Sequence, residues 1–397
     1  LLQLVADRLR RCVRDGDVTA RLGGDEFAIV LECPSGDAAP AVSLAARVVD
    51  SIALPFDVQG HTIVIGASIG IALSELGATG AELMKRADMA LYRAKEERGT
   101  FAIFEPGMDE DLHARRGLEA DLRLAIQREE FELHYQPLYN FIEDRISVVE
   151  ALLRWNSPTR GRVPPSDFIP LAEQSGMIAP IGEWVLRTAC AQAAAWPSHV
   201  RVAINLSPVQ FKNPQLVGMV REILAATGLP AQRLELEITE TVLLRDTEAV
   251  MTMLHGLHDM GVRICMDDFG TGYSSLSYLQ RFPFDKIKID RSFVSDLRAP
   301  DADGDAPDAL SAASKSAALI VRAITGLGEN LGISTTAEGV ETLHQFAQTR
   351  REGCTEVQGY FISPPKPAAE VEQLIRHLDI TLPAISGGRD MSPRRVA

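Results

Sequence analysis

The sequence has no cysteine pair spaced C-x-x-C and no histidine pattern of the H-x-x-x-H or H-E-x-x-H type. That removes the usual grounds for expecting a zinc site. The five cysteines, Cys12, Cys33, Cys190, Cys265 and Cys354, are odd in number and widely spaced. They read as reduced, mostly buried small hydrophobes, which suits a cytoplasmic location and leaves tethering of a longer parent protein open. The longest apolar stretch, Ile63 to Leu73, is 11 residues and includes glycine and serine, whereas a membrane span needs about 20. Positive charge is scarce: 40 Lys+Arg against 54 Asp+Glu leave a net charge of −14. Nucleic acid polymers and anionic membranes are therefore excluded as main partners, although one pocket can still oppose the overall sign for a small anion. An initiator Met is missing, and Leu1-Leu2 falls inside a helical pattern, so a fragment of a longer protein is expected.

What remains is ordinary globular material, 46% hydrophobic and 24% charged over 397 residues, long enough for two or three domains. The first hundred residues alternate helix and strand. Leu2, Val5, Leu9 and Cys12 form a helical stripe. Strands are expected at Val18–Leu22 and Phe27–Leu31, a helix over about 40–52, and an extended run at His61–Leu73. Thr79-x-x-Glu82 is a capping box opening a further helix, and Phe101–Phe104 is a short strand. Residues 107–130 read as a charged helical connector.

From about 131 short apolar runs alternate with amphipathic helices. Strands are expected at Phe131–Pro137, Ile146–Leu153, Val200–Leu206, Leu234–Thr239, Arg263–Asp268, Lys286–Asp290, Ser334–Glu338 and Glu356–Ile362. Eight strands with helices between them predict an α/β fold, a (β/α)8 TIM-like barrel. Residues 299–316, rich in Ala, Asp, Ser and Pro, read as a solvated loop. Its Asp301-x-Asp303-x-Asp305 run lacks the glycine and glutamate of a calcium loop, having Ala306 and Ala312 at those positions. The tail, residues 381–397, is expected to be disordered.

In such a barrel, side chains at the carboxyl ends of the strands converge on one face. The apolar runs carry polar residues there: Glu150, Asn205, Glu237 and Glu240, Asp267 and Asp268, Lys288 and Asp290, Glu338 and Glu341, and Gln358. Any one of these reads equally as a solvated turn residue. As a set they interrupt strongly apolar strands, and convergent carboxylates repel one another unless cations neutralise them. All-oxygen ligands favour Mg²⁺ or Mn²⁺. Adjacent acids such as Asp267-Asp268 suit two ions that activate a water and stabilise a leaving oxygen in phosphoryl displacement.

Seven blocks in order carry a family resemblance: Glu150-Ala151-Leu152-Leu153-Arg154-Trp155, Asn205-Leu206-Ser207-Pro208, Glu237-Ile238-Thr239-Glu240, Asp267-Asp268-Phe269-Gly270-Thr271-Gly272, Lys288-Ile289-Asp290, Glu338-Gly339-Val340-Glu341 and Gln358-Gly359-Tyr360. Together they resemble the EAL-domain cyclic-di-GMP phosphodiesterases. The resemblance implies hydrolysis of cyclic di-GMP to linear pGpG with two Mg²⁺ or Mn²⁺ ions. It implies metal ligands Glu150, Asn205, Glu237, Asp267, Asp268 and Glu338, a water held by Lys288, and Glu338 as candidate base. Glu240 would brace the loop Asp268–Ser275. Gln136, Arg154 and Asp290 would contact the dinucleotide, with Glu341 and Gln358 supporting them. A homodimer through the barrel is implied too. The alternatives are a catalytically silent cyclic-di-GMP receptor and a bifunctional cyclase/phosphodiesterase in a full-length parent.

Arg21-Leu22-Gly23-Gly24-Asp25-Glu26-Phe27 resembles the signature of a GGDEF diguanylate cyclase domain. The resemblance places GTP near Gly23, Gly24, Asp25, Glu26 and Phe27, and an inhibitory cyclic-di-GMP site at Arg14 and Asp17. The family's first strand would precede Leu1, and Arg98-Gly99-Thr100 replaces its usual Gly-Arg-Asn. This half is therefore expected to be truncated and to make no cyclic di-GMP. The expected domains are a GGDEF portion at 1–106, the connector at 107–130, the EAL barrel at 131–380 and the tail.

Overall fold

A computed structural model describes residues 1–33, 37–75, 77–97, 99–243, 247–270, 279, 281–297 and 312–385. The chain divides into two compact units, Leu1–Leu118 and Glu119–Ala397. The division falls within one helix, Met108–Ala125, where the connector was expected.

In the first unit, the stripe of helix Leu2–Cys12 buries Val5, Leu9 and Cys12 against Leu44, Val48, Ile52 and Phe56. Strands β1 (Val18–Gly23) and β2 (Glu26–Val30) form an antiparallel hairpin. The extended run at His61–Leu73 is not one strand. β3 (Phe56–Val58) pairs with β4 (His61–Ile63), whereas β5 (Ile69–Ile71) pairs in parallel with β6 (Phe101–Ile103). Two partners in different sheets require the break between them. Thr79 and Glu82 make the expected capping box: the Glu82 N–H donates to Thr79 Oγ1 and the Thr79 N–H to Glu82 Oε2. The helix it opens, Gly80–Glu97, lies so close to β5 that a side chain at Gly70 would meet Ala87 O at 2.0 Å.

The second unit is a closed eight-strand barrel. Its strands are β7 (Phe131–Asn140), β8 (Arg145–Ser157), β10 (Arg201–Asn205), β11 (Leu234–Thr239), β12 (Arg263–Phe269), β13 (Lys286–Ile289), β14 (Ser334–Ala337) and β15 (Glu356–Val357). From β8 to β15 neighbours run parallel, joined by crossover helices such as Leu216–Thr227 and Ala312–Leu331. Strand β7 departs from the all-parallel expectation, running antiparallel to both neighbours, β8 and β15. The connection from Asn140 to Arg145 is too short for a crossover. It is an Asx-type turn in which Asn140 Oδ1 accepts from the N–H groups of Ile142 and Glu143. Two short strands were not anticipated: β9 (Gly161–Val163) extends the sheet beside β8, and β16 (Lys366–Pro367) lies beside β7.

Three further expectations are corrected. The last barrel strand stops at Val357 rather than Ile362, because Gly359 turns the chain against Val340, where a Cβ would lie 2.1 Å from the carbonyl oxygen. The loop expected to reach residue 316 gives way to helix at Ala312, where Ala317 and Val321 become buried. The final helix, Ala368–Ile385, continues past residue 381, anchored by buried Leu378 and Leu382. Residues 299–311 with the Asp301–Asp305 run, and 386–397 of the tail, lie outside the described residues.

At the strand-start end the barrel interior is ionic. Lys286, 1% exposed, lies 2.6 Å from Glu235 Oε2 and 2.7 Å from Glu356 Oε2. Arg201 completes the layer at 2.5 Å from Glu235 and 3.3 Å from Glu356. Above it Leu138, Val148 and Ala203 form an apolar cluster. Replacing Lys286 by Ala leaves Arg201 to face both buried carboxylates, and we expect the barrel to lose about 3–5 kcal/mol. Urea denaturation followed by tryptophan fluorescence reads this unit selectively, because Trp155, Trp184 and Trp196 all belong to it. A loss below about 1 kcal/mol, typical of an exposed ion pair, would contradict the role assigned to Lys286.

Candidate active site

The opposite end of the barrel gathers the polar residues that interrupt its strands. Lys288 sits two residues above Lys286 on β13 and is 1% exposed. Its Nζ lies 2.6 Å from Glu338 Oε1, 2.9 Å from Glu237 Oε2, 3.3 Å from Asp267 Oδ1 and 3.7 Å from Glu150 Oε2. Asn205 Nδ2 donates to Glu150 Oε1 at 2.7 Å, and Gln358 Nε2 donates to Glu150 Oε2 at 2.5 Å. Gln358 Nε2 also donates to Gln136 Oε1 at 3.1 Å, while Gln136 donates to the Ser363 carbonyl. The antiparallel register of β7 is what sets Gln136 directly opposite Glu150.

Consecutive residues of a regular strand point to opposite faces, so Asp267 and Asp268 could not both serve one site on an undistorted strand. The ladder between β12 and β13 shifts register between Met266 and Phe269. Asp268 takes a left-handed backbone, φ 53°, which is uncommon for a non-glycine residue and concentrates at functional sites. With this irregularity, ligand oxygens of Asp267, Asp268 and Glu338 lie within 4.8 Å of one another. The turn after Asn205 is fixed by its own contacts: Ser207 Oγ donates to Glu173 Oε1 at 2.6 Å, and the Ser207 N–H donates to Gln210 Oε1.

The electrostatics show a deficit of positive charge. Burial, then the neighbouring Glu150, pushes Glu237 well above the usual carboxylate range. Burial with Asp267 and Glu150 nearby pushes Glu338 up to about 7 against the pull of Lys288, and burial and Asp267 raise Asp268. Within this cluster Glu150 goes down instead: burial opposes its charge, but Lys288, Gln358 and Asn205 outweigh that. Burial likewise disfavours the Lys288 ammonium, yet Asp267, Glu150, Glu237 and Glu338 hold it charged. Glu237 Oε1 is buried without a hydrogen-bond partner among the described residues. An orphaned carboxylate oxygen within an all-oxygen donor set fits a hard divalent cation.

Other expected residues stand apart from the cluster. Glu240 Oε1 accepts from the Gly270 N–H at 3.1 Å, within the loop it was expected to brace; residues 271–278, which carry the rest of that loop, lie outside the described residues. Asp290 caps helix Arg291–Ser295 by accepting from the Ser292 N–H. Arg154, half-buried, donates to the Leu153 carbonyl. The Glu341 side chain is exposed, and its N–H is held by Gln345 Oε1. Tyr360, at the end of the Gln358-Gly359-Tyr360 block, is a further candidate. It is 67% exposed and close enough to Arg154 to influence its charge, and an exposed aromatic beside an apolar strand end was the available signal. In the first unit, Arg14 Nε lies 3.4 Å from Asp17 Oδ1 and Nη2 donates to the Glu32 carbonyl. The Gly23–Phe27 segment forms the hairpin tip, clamped by Arg21 donating to the Gly24 carbonyl.

Comparison with known families matches residues 119–365 to the EAL domain and residues 1–100 to the diguanylate cyclase, GGDEF domain. The chain is 48% identical to an uncharacterized signaling protein of Caulobacter vibrioides, over 92% of this chain and 44% of that protein. It is 42% identical to the bifunctional diguanylate cyclase/cyclic di-GMP phosphodiesterase MucR of Pseudomonas aeruginosa, over 94% of this chain and 53% of that one. The chain thus spans about half the length of these relatives. Among solved structures, the PaMucR phosphodiesterase in complex with c-di-GMP is 42% identical, with a TM-score of 0.58, covering 64% of this chain and 99% of that one.

Because Glu338 holds its proton up to about pH 7, a cation must displace that proton below this pH and meets an ionised ligand above it. Mn²⁺ affinity, measured by isothermal titration calorimetry, should fall about tenfold from pH 8 to pH 6, with release of about one proton per site at the lower pH. In Glu338→Gln the pH dependence should flatten. Equal affinity at both pH values in the unaltered protein would remove Glu338 from the ligand set.

Proposed function

The chain belongs to the EAL domain family, and from that premise we propose that its barrel hydrolyses one phosphodiester bond of cyclic di-GMP to give linear pGpG. The observation that carries the proposal is the gathering of five carboxylates, Glu150, Glu237, Asp267, Asp268 and Glu338, around the one ammonium of Lys288. Two Mg²⁺ or Mn²⁺ ions, held by these acids with Asn205, would supply Lewis acidity toward the attacking water and the leaving oxygen.

The protein's own groups do the rest. Lys288, locked by four carboxylates, has no freedom to leave the centre and presents its ammonium protons to the nucleophilic water or to a non-bridging phosphate oxygen. Glu338, near pH 7 in its titration, is suited to take the proton as water attacks phosphorus in line with the departing ribose oxygen. Gln358 ties Gln136 to Glu150 and so fixes one wall of the pocket. Arg154, with Asp290 and Tyr360, offers contacts to the dinucleotide outside the cluster. Glu240 acts through the Gly270 backbone, holding the start of the loop that follows the two adjacent acids. For the first unit we propose a regulatory role, with Arg14 and Asp17 receiving cyclic di-GMP and the Gly23–Phe27 hairpin facing GTP. The outward stripe of helix Ala312–Leu331, where Leu319 is 64% exposed and Ile320 37%, suits a homodimer of barrels.

Incubation with cyclic di-GMP and Mn²⁺, followed by chromatography, should yield pGpG. Glu150→Ala should lower turnover by more than the roughly 10- to 100-fold typical of an outer partner of a metal ligand. Binding without any product from the unaltered protein would instead identify a silent receptor. Light scattering after gel filtration should show a dimer that Leu319→Lys converts to monomer. A monomer from the start would dismiss that contact.

A further inference from the structure

A cavity of about 640 Å³ opens at the strand-start end of the barrel, the end away from Glu150 and Asp267. Its walls are the segments leading into β12, β13 and β14: His258, Arg263, Leu279, 281–285 and 331–333. The volume falls within the roughly 300–1,000 Å³ of small-molecule sites. In a chain with net charge −14, this cavity is lined by three basic side chains, His258, Arg263 and Arg281, against one acid, Asp285.

That acid is already engaged. Asp285 Oδ2 accepts from the Ile264 N–H at 2.8 Å, and its Oδ1 lies 3.6 Å from Arg263 Nε. Arg263 Nε stands equally far, 3.6 Å, from Glu235 Oε1. Neither acid is within hydrogen-bond reach, and this buried nitrogen has no partner among the described residues. A guanidinium with an unused donor therefore borders the cavity. The remaining wall is apolar and firmly seated: the Phe282 ring packs against Phe284 at 4.8 Å and against His255 at 5.1 Å. Leu331, 43% exposed, forms part of the rim.

We propose that this cavity binds a small anion carrying a flat apolar group, its charge held by Arg263 and Arg281 and its body laid on the exposed Pro283 and Leu331. The site is separate from the proposed catalytic centre and does not depend on that reading. It also touches the barrel interior, because Arg263 is the link between the cavity and the Glu235–Lys286–Glu356 layer. An anion that draws Arg263 toward itself moves a positive charge away from Glu235, now 3.6 Å off and two residues below Glu237 on the same strand.

The test uses phenyl phosphate as probe, titrated calorimetrically into the full chain in EDTA, where the acidic cluster at the other end repels anions. We expect saturable binding at one site. Arg281→Glu, a change at an exposed position, should weaken it at least about tenfold, or 1.4 kcal/mol, and Arg281→Lys should retain most of it. Absence of saturation, or equal affinity in Arg281→Glu, would overturn the proposal. So would binding that disappears as the protein self-associates, since a second copy would then be the occupant. Leu319 lies about 18 Å along its helix from Leu331, so Leu319→Lys separates the two contacts.

Discussion

A single buried ammonium decides how the mouth of this barrel is built. Lys288 is out of water and within 4 Å of four carboxylates from different strands. Isolated, such a charge would give up its proton rather than remain buried; here its neighbours hold it charged. The dependence is mutual. Without Lys288 the four acids would face one another across a few ångströms in a poorly screened space. The register of β8, β11, β12 and β14 around β13 is thus tied to one electrostatic centre. The hydrogen bonds from Asn205 and Gln358 to Glu150 extend the same constraint to β10 and to the end of β15.

Backbone irregularities complete what side-chain charge begins. The register shift in β12 and the left-handed Asp268 turn two adjacent acids toward one space. Gly359 lets the chain after β15 press against Val340, so that Gln358 faces Glu150 rather than extending a ladder. Glu240 then uses its carboxylate on the backbone at Gly270, tying the end of β11 to the loop after β12. Each device sits at the strand ends, where a distortion costs little pairing and re-aims a reacting group.

Much of this was legible in the sequence, for a physical reason. Glutamates and a lysine inside runs such as Leu234–Thr239 and Lys286–Ile289 conflict with burial, and only a shared interior site resolves the conflict. The same reasoning located Glu150, Glu237, Asp267, Lys288 and Glu338 together. It left open that the Asp290 carboxylate caps a helix and that Glu341 is exposed, because a strand-end position alone does not say which way a side chain turns. The reversed direction of β7 was hidden too. Periodicity is blind to strand direction, and only the shortness of the Asn140–Arg145 connection carried that information. The register shift at Asp267-Asp268 leaves no compositional mark at all.

The barrel contains its own reference for reading the site. Two residues below Lys288, on the same strand, Lys286 is equally buried and likewise surrounded by acids. There, however, two cations, Lys286 and Arg201, meet two carboxylates, Glu235 and Glu356. Burial opposes ionisation of Glu356, but Lys286 and Arg201 bring it down to about 2. At the mouth, one cation meets five carboxylates, and Glu237, Glu338 and Asp268 are driven upward. Depth does not explain the difference, since Glu237 and Glu356 are both fully enclosed. Charge count does. The lower layer is balanced in charge, whereas the upper layer is short of positive charge. Burial of an ionic cluster is thus not in itself the sign of a reaction centre here; the unmet demand for cations is what separates the upper layer from the lower.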